Sequence, residues 1–206
     1  MPITNDTELW EAVKGAGDLL QQIEDYLHGQ PHRQGAVRFP RKLIRPAKDH
    51  RIRLSFVSDP DLRTNLAYTL ILTDVVRWVL VRTDLSGTAR EMLVKQLVFL
   101  AGTLVESITK DYLKGLCGQS YEKRTAFLVA NGVIDAGLKA ELDWLWDLRN
   151  KMHLYGLDEA EYVNDYNNKT LQRAVAAYQT LVDALRARRR LTGRSIRTAI
   201  GKKTPL

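Results

Sequence analysis

The feature that most constrains the fold is a helical spacing of apolar residues that runs from residue 61 to about residue 190. Residues recurring at intervals of three and four fall on one face of an α-helix. No fixed-period repeat is visible, and no strand–helix alternation indicates a parallel sheet. The spacing therefore predicts an all-α chain whose main part is an antiparallel helical bundle over residues 61–190. Within residues 88–115 the apolar positions are Met92, Val94, Leu97, Leu100, Leu104, Val105, Ile108 and Leu113.

Capping residues predict where the helices begin and end. Asp59 and Pro60 fit the start of a helix that runs to about Arg82. The segment "LKAELDWLWDLRNKMHLYG" predicts a helix ending near Gly156. The other expected boundaries are an N-cap at Ser86, an N-cap at Ser120, a left-handed end at Asn131-Gly132 and a break at Asn167-Asn168.

The first sixty residues follow a different pattern. Residues 6–28 have the spacing of a helix, which Gly29 and Pro31 end. Residues 30–50 contain prolines among arginines and predict an extended connection, and "RIRLSFV" alternates with period two, as in a short strand or an extended arm. The predicted organisation is an amino-terminal helix with a basic extension over residues 1–60, the bundle over 61–190, and a basic tail over 191–206.

Positive charge is concentrated in two segments. Residues 33–53 and 186–206 each hold eight Lys or Arg residues, against one acid in the two together, although the whole chain is only +7. Such segments often contact polyphosphates, so RNA is an expected partner. A solubilising arm and a frayed tail are the alternative. The candidate nucleic-acid-binding residues are Arg41, Lys42, Arg45, Arg51, Arg53, Arg188, Arg189 and Arg190.

Other classes of protein and site receive little support. Cys117 is the only cysteine, which suits a reducing cytoplasm. Charged residues such as Asp74 and Lys95 interrupt the two most apolar stretches, so these are expected to be core helices rather than membrane spans. No phosphate-binding loop, dinucleotide fingerprint, paired-histidine zinc helix or nucleophile elbow is visible, so no metal and no cofactor is expected.

One short stretch, "LRNKMHLYG", contains the residues that suit catalysis. Because the predicted helix runs through residue 153, Arg149, Asn150 and His153 are expected to share one of its faces. Metal-free RNA cleavage needs a base near neutral pKa and a fixed cation beside the phosphate, which histidine and arginine supply. The alternative is that these basic residues only complement the negative end of the helix dipole. The other three histidines fall in the amino-terminal part.

The run "FLVANGVIDAGLKAELDWLWDLRNKMHLYG" resembles the core of the HEPN superfamily, the higher eukaryote and prokaryote nucleotide-binding domains. Members are small helical bundles, and many have an Arg, a following polar residue and a later His near the end of a helix. The resemblance covers roughly residues 88–190. Four to six residues usually separate the Arg from the His, and here three do.

The resemblance implies a metal-independent ribonuclease of the kind found in toxin–antitoxin and phage-defence systems. Arg149 and His153 would be catalytic, with Asn150 in support, and the protein would act as a homodimer. Tyr155 occupies the place of a tyrosine that an antitoxin nucleotidyltransferase modifies with AMP in some relatives. Two functions stay open: a ribonuclease, or a non-catalytic HEPN-like module that binds RNA, nucleotide or a partner protein.

Overall fold

The described part of the chain is entirely helical. The computed structural model describes four stretches, residues 2–30, 35–38, 43–151 and 166–188. Seven α-helices and no strand occur within them, which confirms the all-α class. By its internal contacts the chain divides into two compact units, Met1–Arg41 and Lys42–Leu206. Each unit is described by itself.

The first unit contains one amphipathic helix, α1 (Asp6–Leu27), as its spacing predicts. The Asn5 side chain accepts a hydrogen bond from the Glu8 amide and caps its start. None of the residues of α1 is buried. Its exposed apolar side chains include Leu9, Trp10, Val13, Leu19, Leu20, Ile23 and Tyr26.

The second unit begins with a helix where alternation predicted a strand or an extended arm. Helix α2 spans Ala47–Arg53, and the turn after it buries Leu54 and Val57. Ile52 is 59% exposed although Leu54 is fully buried, so the period-two interpretation of "RIRLSFV" was wrong. The inward residues His50, Leu54 and Val57 are spaced by four and three, which is helical spacing.

Five further helices build the bundle, and the N-caps Asp59, Ser86, Ser120 and Asn167 lie where the sequence predicts them. Asp59 accepts hydrogen bonds from the Asp61 and Leu62 amides, and Gly132 has a positive φ of 62° that suits a glycine. Their bounds are α3 (Pro60–Arg82), α4 (Gly87–Tyr112), α5 (Tyr121–Ala130), α6 (Ala136–Asn150) and α7 (Asn168–Ala187).

Helix α4 lies at the centre of the bundle. It contacts α3, α5, α6 and α7, and twelve of its residues are buried. By length and composition alone, α3 and α4 are apolar enough to cross a membrane, and the core helices of soluble proteins pass the same test. The apolar face of α4 thus provides the surface on which the other helices pack.

Two buried aspartates attach the α2 segment to this bundle. At its start, Asp74 of α3 accepts hydrogen bonds from the Arg45 amide at 3.1 Å and from the Arg45 side chain, and it contacts His50 Nε2 at 3.0 Å. At its end, Asp111 of α4 accepts hydrogen bonds from the amide and hydroxyl of Ser58, both at 3.0 Å. Residues 45–58 are therefore fixed at both ends.

Replacing Leu54 by Ala should lower the free energy of unfolding by about 2–5 kcal/mol, the usual cost of emptying a fully buried leucine site. Ile52→Ala is the matched control and should change it by roughly 0.5 kcal/mol or less, because Ile52 is exposed. Urea denaturation followed by circular dichroism measures both. Similar losses in the two variants would favour the strand, in which both side chains share a face.

Candidate functional site

The amino acids of α6 place Arg149 at the edge of the bundle core. Asp135 caps the helix by accepting a hydrogen bond from the Leu138 amide at 2.7 Å. Leu142 and Leu145 are fully buried, and Arg149 is one helical turn beyond Leu145. The apolar spacing of α6 therefore holds the Arg149 stem against the bundle.

Close packing between α4 and α6 fixes the base of the Arg149 side chain. A Cβ at position 102 would lie 2.8 Å from Arg149 Cβ, which is closer than side chains pack. Glycine at position 102 thus lets α6 approach α4 at this point. The Arg149 side chain starts from a rigid position rather than from a loop.

The Arg149 guanidinium is surrounded by an acid, an amide and two aromatic rings. Its Nη2 lies 3.5 Å from a carboxylate oxygen of Glu106, and its Nη1 donates to Asn150 Oδ1 at 3.0 Å. Its Cζ lies 5.1 Å from the Trp146 ring centre and 5.8 Å from that of Phe99. The side chain is 27% exposed, so the cation is held in place and still reaches solvent.

The structure brings together only part of the predicted catalytic set. Arg149 and Asn150 are hydrogen-bonded neighbours, whereas His153 and the proposed modification site Tyr155 lie outside the described residues. Helix α6 ends at Asn150, with Lys151 as its C-cap, and not near Gly156 as predicted. Asparagine is a weak helix former, and the Lys151 amide bonds carbonyls within the last turn. Because His153 lies outside the described residues, its position on a face shared with Arg149 stays a prediction.

The candidate nucleic-acid residues are distributed over several places. Arg45, Arg51 and Arg53 belong to the α2 segment, and Arg188 is the exposed C-cap of α7. The remaining candidates lie outside the described residues: Arg41, Lys42, Arg189 and Arg190.

A buried charge cluster on the α2–α3 side is the feature that sequence analysis missed. Asp74 is paired with Arg45 and with His50, which is 2% exposed. His50 had been assigned with the amino-terminal histidines outside the bundle, and this was wrong. A signal was present in the sequence, because Asp74 interrupts an apolar helix and a buried carboxylate requires a partner.

Burial and pairing shift the titration of this cluster. Burial acts to raise the pKa of Asp74, but hydrogen bonds from the Arg45 side chain and backbone outweigh it and hold that pKa below its ordinary value. Burial lowers the pKa of His50 below 6.5, and the nearby Asp74 carboxylate only partly opposes this. His50 is therefore neutral at pH 7, and its Nε2–H donates to Asp74, since an ionised carboxylate can only accept.

Comparisons with known proteins assign this chain to no family. No family model, no curated protein and no solved structure matches the chain. Among the described residues, no group of three or more His, Cys, Asp or Glu could hold a metal ion.

Acid should destabilise the protein through His50. Its folded pKa is lowered, so the unfolded chain binds the proton more tightly and stability falls as pH drops below about 6.5. In His50→Gln this part of the loss should disappear, so Tm should fall less between pH 7 and pH 5 than in wild type. Thermal denaturation across that range measures the difference. Equal pH dependence in the two proteins would refute the assignment.

Proposed function

We propose that the protein is a metal-independent endoribonuclease of the HEPN type, acting as a toxin or a phage-defence effector. The resemblance around "DLRNKMHLY" supports this proposal. The single structural observation in its favour is the Arg149 guanidinium, held beside Asn150 and still reaching solvent at the end of α6. A fixed cation is the group that such chemistry needs to stabilise the negative charge that develops on the phosphoryl oxygens.

In this mechanism His153 takes the proton from the ribose 2′-hydroxyl. The 2′-oxygen bonds to the adjacent phosphorus as the bond from phosphorus to the 5′-oxygen breaks. Arg149 stabilises the additional negative charge on the phosphoryl oxygens, and Asn150 orients Arg149. The leaving 5′-oxygen receives a proton, so the products are a 2′,3′-cyclic phosphate and a 5′-hydroxyl.

The proton for the leaving group would come from a second histidine, and a homodimer supplies one. A twofold axis through the site places His153 of the partner subunit on the other side of the phosphate. An antitoxin or a nucleotidyltransferase that modifies Tyr155 would be the neutralising partner. Both partners follow from the resemblance and form part of the proposal.

The second candidate function is binding of RNA, nucleotide or a partner protein without cleavage. The Glu106 carboxylate favours it, since an acid 3.5 Å from Arg149 offsets part of the charge that a phosphate would need. The three-residue spacing between Arg149 and His153 also departs from the usual pattern of the resembling proteins.

A cleavage assay in the presence of EDTA distinguishes the two functions. Arg149→Ala and His153→Ala should each lower the rate at least a hundredfold, in line with the loss of a charge-stabilising or acid–base group. Arg173→Ala is the matched control, because Arg173 also pairs with an acid, Glu141 at 2.5 Å, and stacks on a ring, Trp144 at 3.9 Å. Its rate should stay within about threefold of wild type.

The products identify the chemistry. Mass spectrometry of the fragments should find a cyclic phosphate in wild type, and circular dichroism should find unchanged helicity in all three variants. Cleavage that persists in His153→Ala would remove the ribonuclease proposal. RNA binding without cleavage in wild type would leave the binding module in its place.

The basic tail should contribute affinity without sequence preference. Truncation after Arg188 removes Arg189, Arg190 and the later basic residues, and with them phosphate contacts that release counterions. RNA affinity at low salt should fall, and the slope of log affinity against log salt should become shallower, by similar amounts for unrelated RNA sequences. Fluorescence anisotropy measures both quantities, and an unchanged slope would exclude the tail from the interface.

A further inference from the structure

A small cavity lies among α2, α3, α4 and α7, on the side of the bundle that contains the buried charge cluster. Its volume is about 60 Å³. Its apolar wall is contributed by α3 and α4, through Leu70, Leu97 and Leu104. Arg77 and Gln179 also line it and are exposed, so the cavity opens to solvent.

The polar lining of this cavity is dominated by arginine. Arg45, Arg53 and Arg77 line it, and Asp74 is the only acid among them. Asp74 already accepts three N–H groups of Arg45 and contacts His50. Within the described part of the chain, Arg53 and Arg77 form no ion pair, so positive charge remains in the cavity without a counter-charge.

Tyr178, which also lines the cavity, has a buried hydroxyl group without a partner among the described residues. Tyr178 is 7% exposed, and its hydroxyl makes no hydrogen bond to any described residue. Burial raises the pKa of Tyr178 to about 12, so the group keeps its proton at neutral pH and is a donor. Buried hydroxyl groups in native proteins are normally hydrogen-bonded, and the Tyr178 hydroxyl has no acceptor among the described residues.

Water alone does not explain the combination. One water needs about 10–15 Å³ of cavity, so several would fit. Neutral water would still leave the half-buried Arg53 without a counter-charge among the described residues. An anion with several acceptor oxygens satisfies the two arginines and the hydroxyl together.

We propose that this cavity binds the phosphoryl group of a phosphomonoester, held by Arg53, Arg77 and the Tyr178 hydroxyl. At about 10–15 Å³ for each water-sized group, its volume of about 60 Å³ suits a compact anion such as one phosphoryl group. A second cavity of about 260 Å³ shares Arg45, Asp74 and Arg77 with the first, and Trp78 also lines it. The organic part of the ligand lies there. The site does not depend on the proposed ribonuclease function, because Arg149 lines neither cavity.

Calorimetric titration of the full-length protein tests the site, with inorganic phosphate as the first probe. Phosphate should bind more tightly than chloride. Arg53→Gln and Tyr178→Phe should weaken it roughly ten- to a hundredfold, the range expected for a lost hydrogen bond to a charged group. Lys48→Gln is the matched control, with the same charge change on the same helix at a residue that does not line the cavity. It should bind phosphate as wild type does.

Further probes distinguish the sources of the phosphoryl group. A 5′-mononucleotide that binds more tightly than phosphate assigns the site to a free nucleotide. A gain only for 5′-phosphorylated RNA, measured against the same RNA with a 5′-hydroxyl, assigns it to an RNA end. Arg149→Ala should leave phosphate binding unchanged even where it abolishes cleavage, so the two proposals fail separately.

Two results would overturn the site. One is phosphate affinity in Tyr178→Phe equal to that of wild type, since this variant keeps the ring and its packing. The other is an equal loss of affinity in Lys48→Gln and Arg53→Gln, which would indicate attraction by overall charge. Circular dichroism of each variant separates loss of binding from loss of fold.

Discussion

The packing of the second unit depends on the pairing of the buried Asp74 carboxylate. A buried carboxylate is costly unless it is paired, and here Arg45 and His50 satisfy it together. Removing either partner would leave a buried charge with fewer donors. This requirement draws the α2 segment onto α3 and determines where Arg45 and His50 lie. Of the three arginines that line the small cavity, Arg45 lies there for the same reason.

The sequence predicted most of the helices because their signals are local. Asp59 and Asn167 cap helices where they were expected, and the apolar spacing of residues 88–115 predicted α4. Helix α2 was missed because a hydrogen bond to Asp74, far along the chain, decides its place. Local alternation in "RIRLSFV" carried no information about that contact. Helix α6 was predicted too long, because a spacing pattern alone does not show where a weak helix former ends the helix.

The candidate site was predictable only in part for a similar reason. Arg149 and Asn150 are adjacent in sequence, so a short motif could indicate them. Gly102 and Glu106 lie on α4, and only the packing of α4 on α6 brings them to Arg149. The proposed phosphoryl site was harder still to predict from the sequence, since Arg53, Arg77 and Tyr178 belong to three separate helices. The arginines of this protein thus differ by their partners: Arg149 has an acid beside it, whereas Arg53 and Arg77 have none in the described residues.

Because residues 45–58 are attached at both ends, insertions and deletions between those ends are disfavoured. The Arg45 amide is held by Asp74, and a backbone N–H survives any substitution except proline. The Ser58 amide is held in the same way by Asp111. An inserted or deleted residue between these two points would move one amide away from its carboxylate by about 1.5 Å or more, the rise of one helical residue. Homologous chains should therefore keep this length constant, while insertions ahead of Arg45 leave both attachments intact.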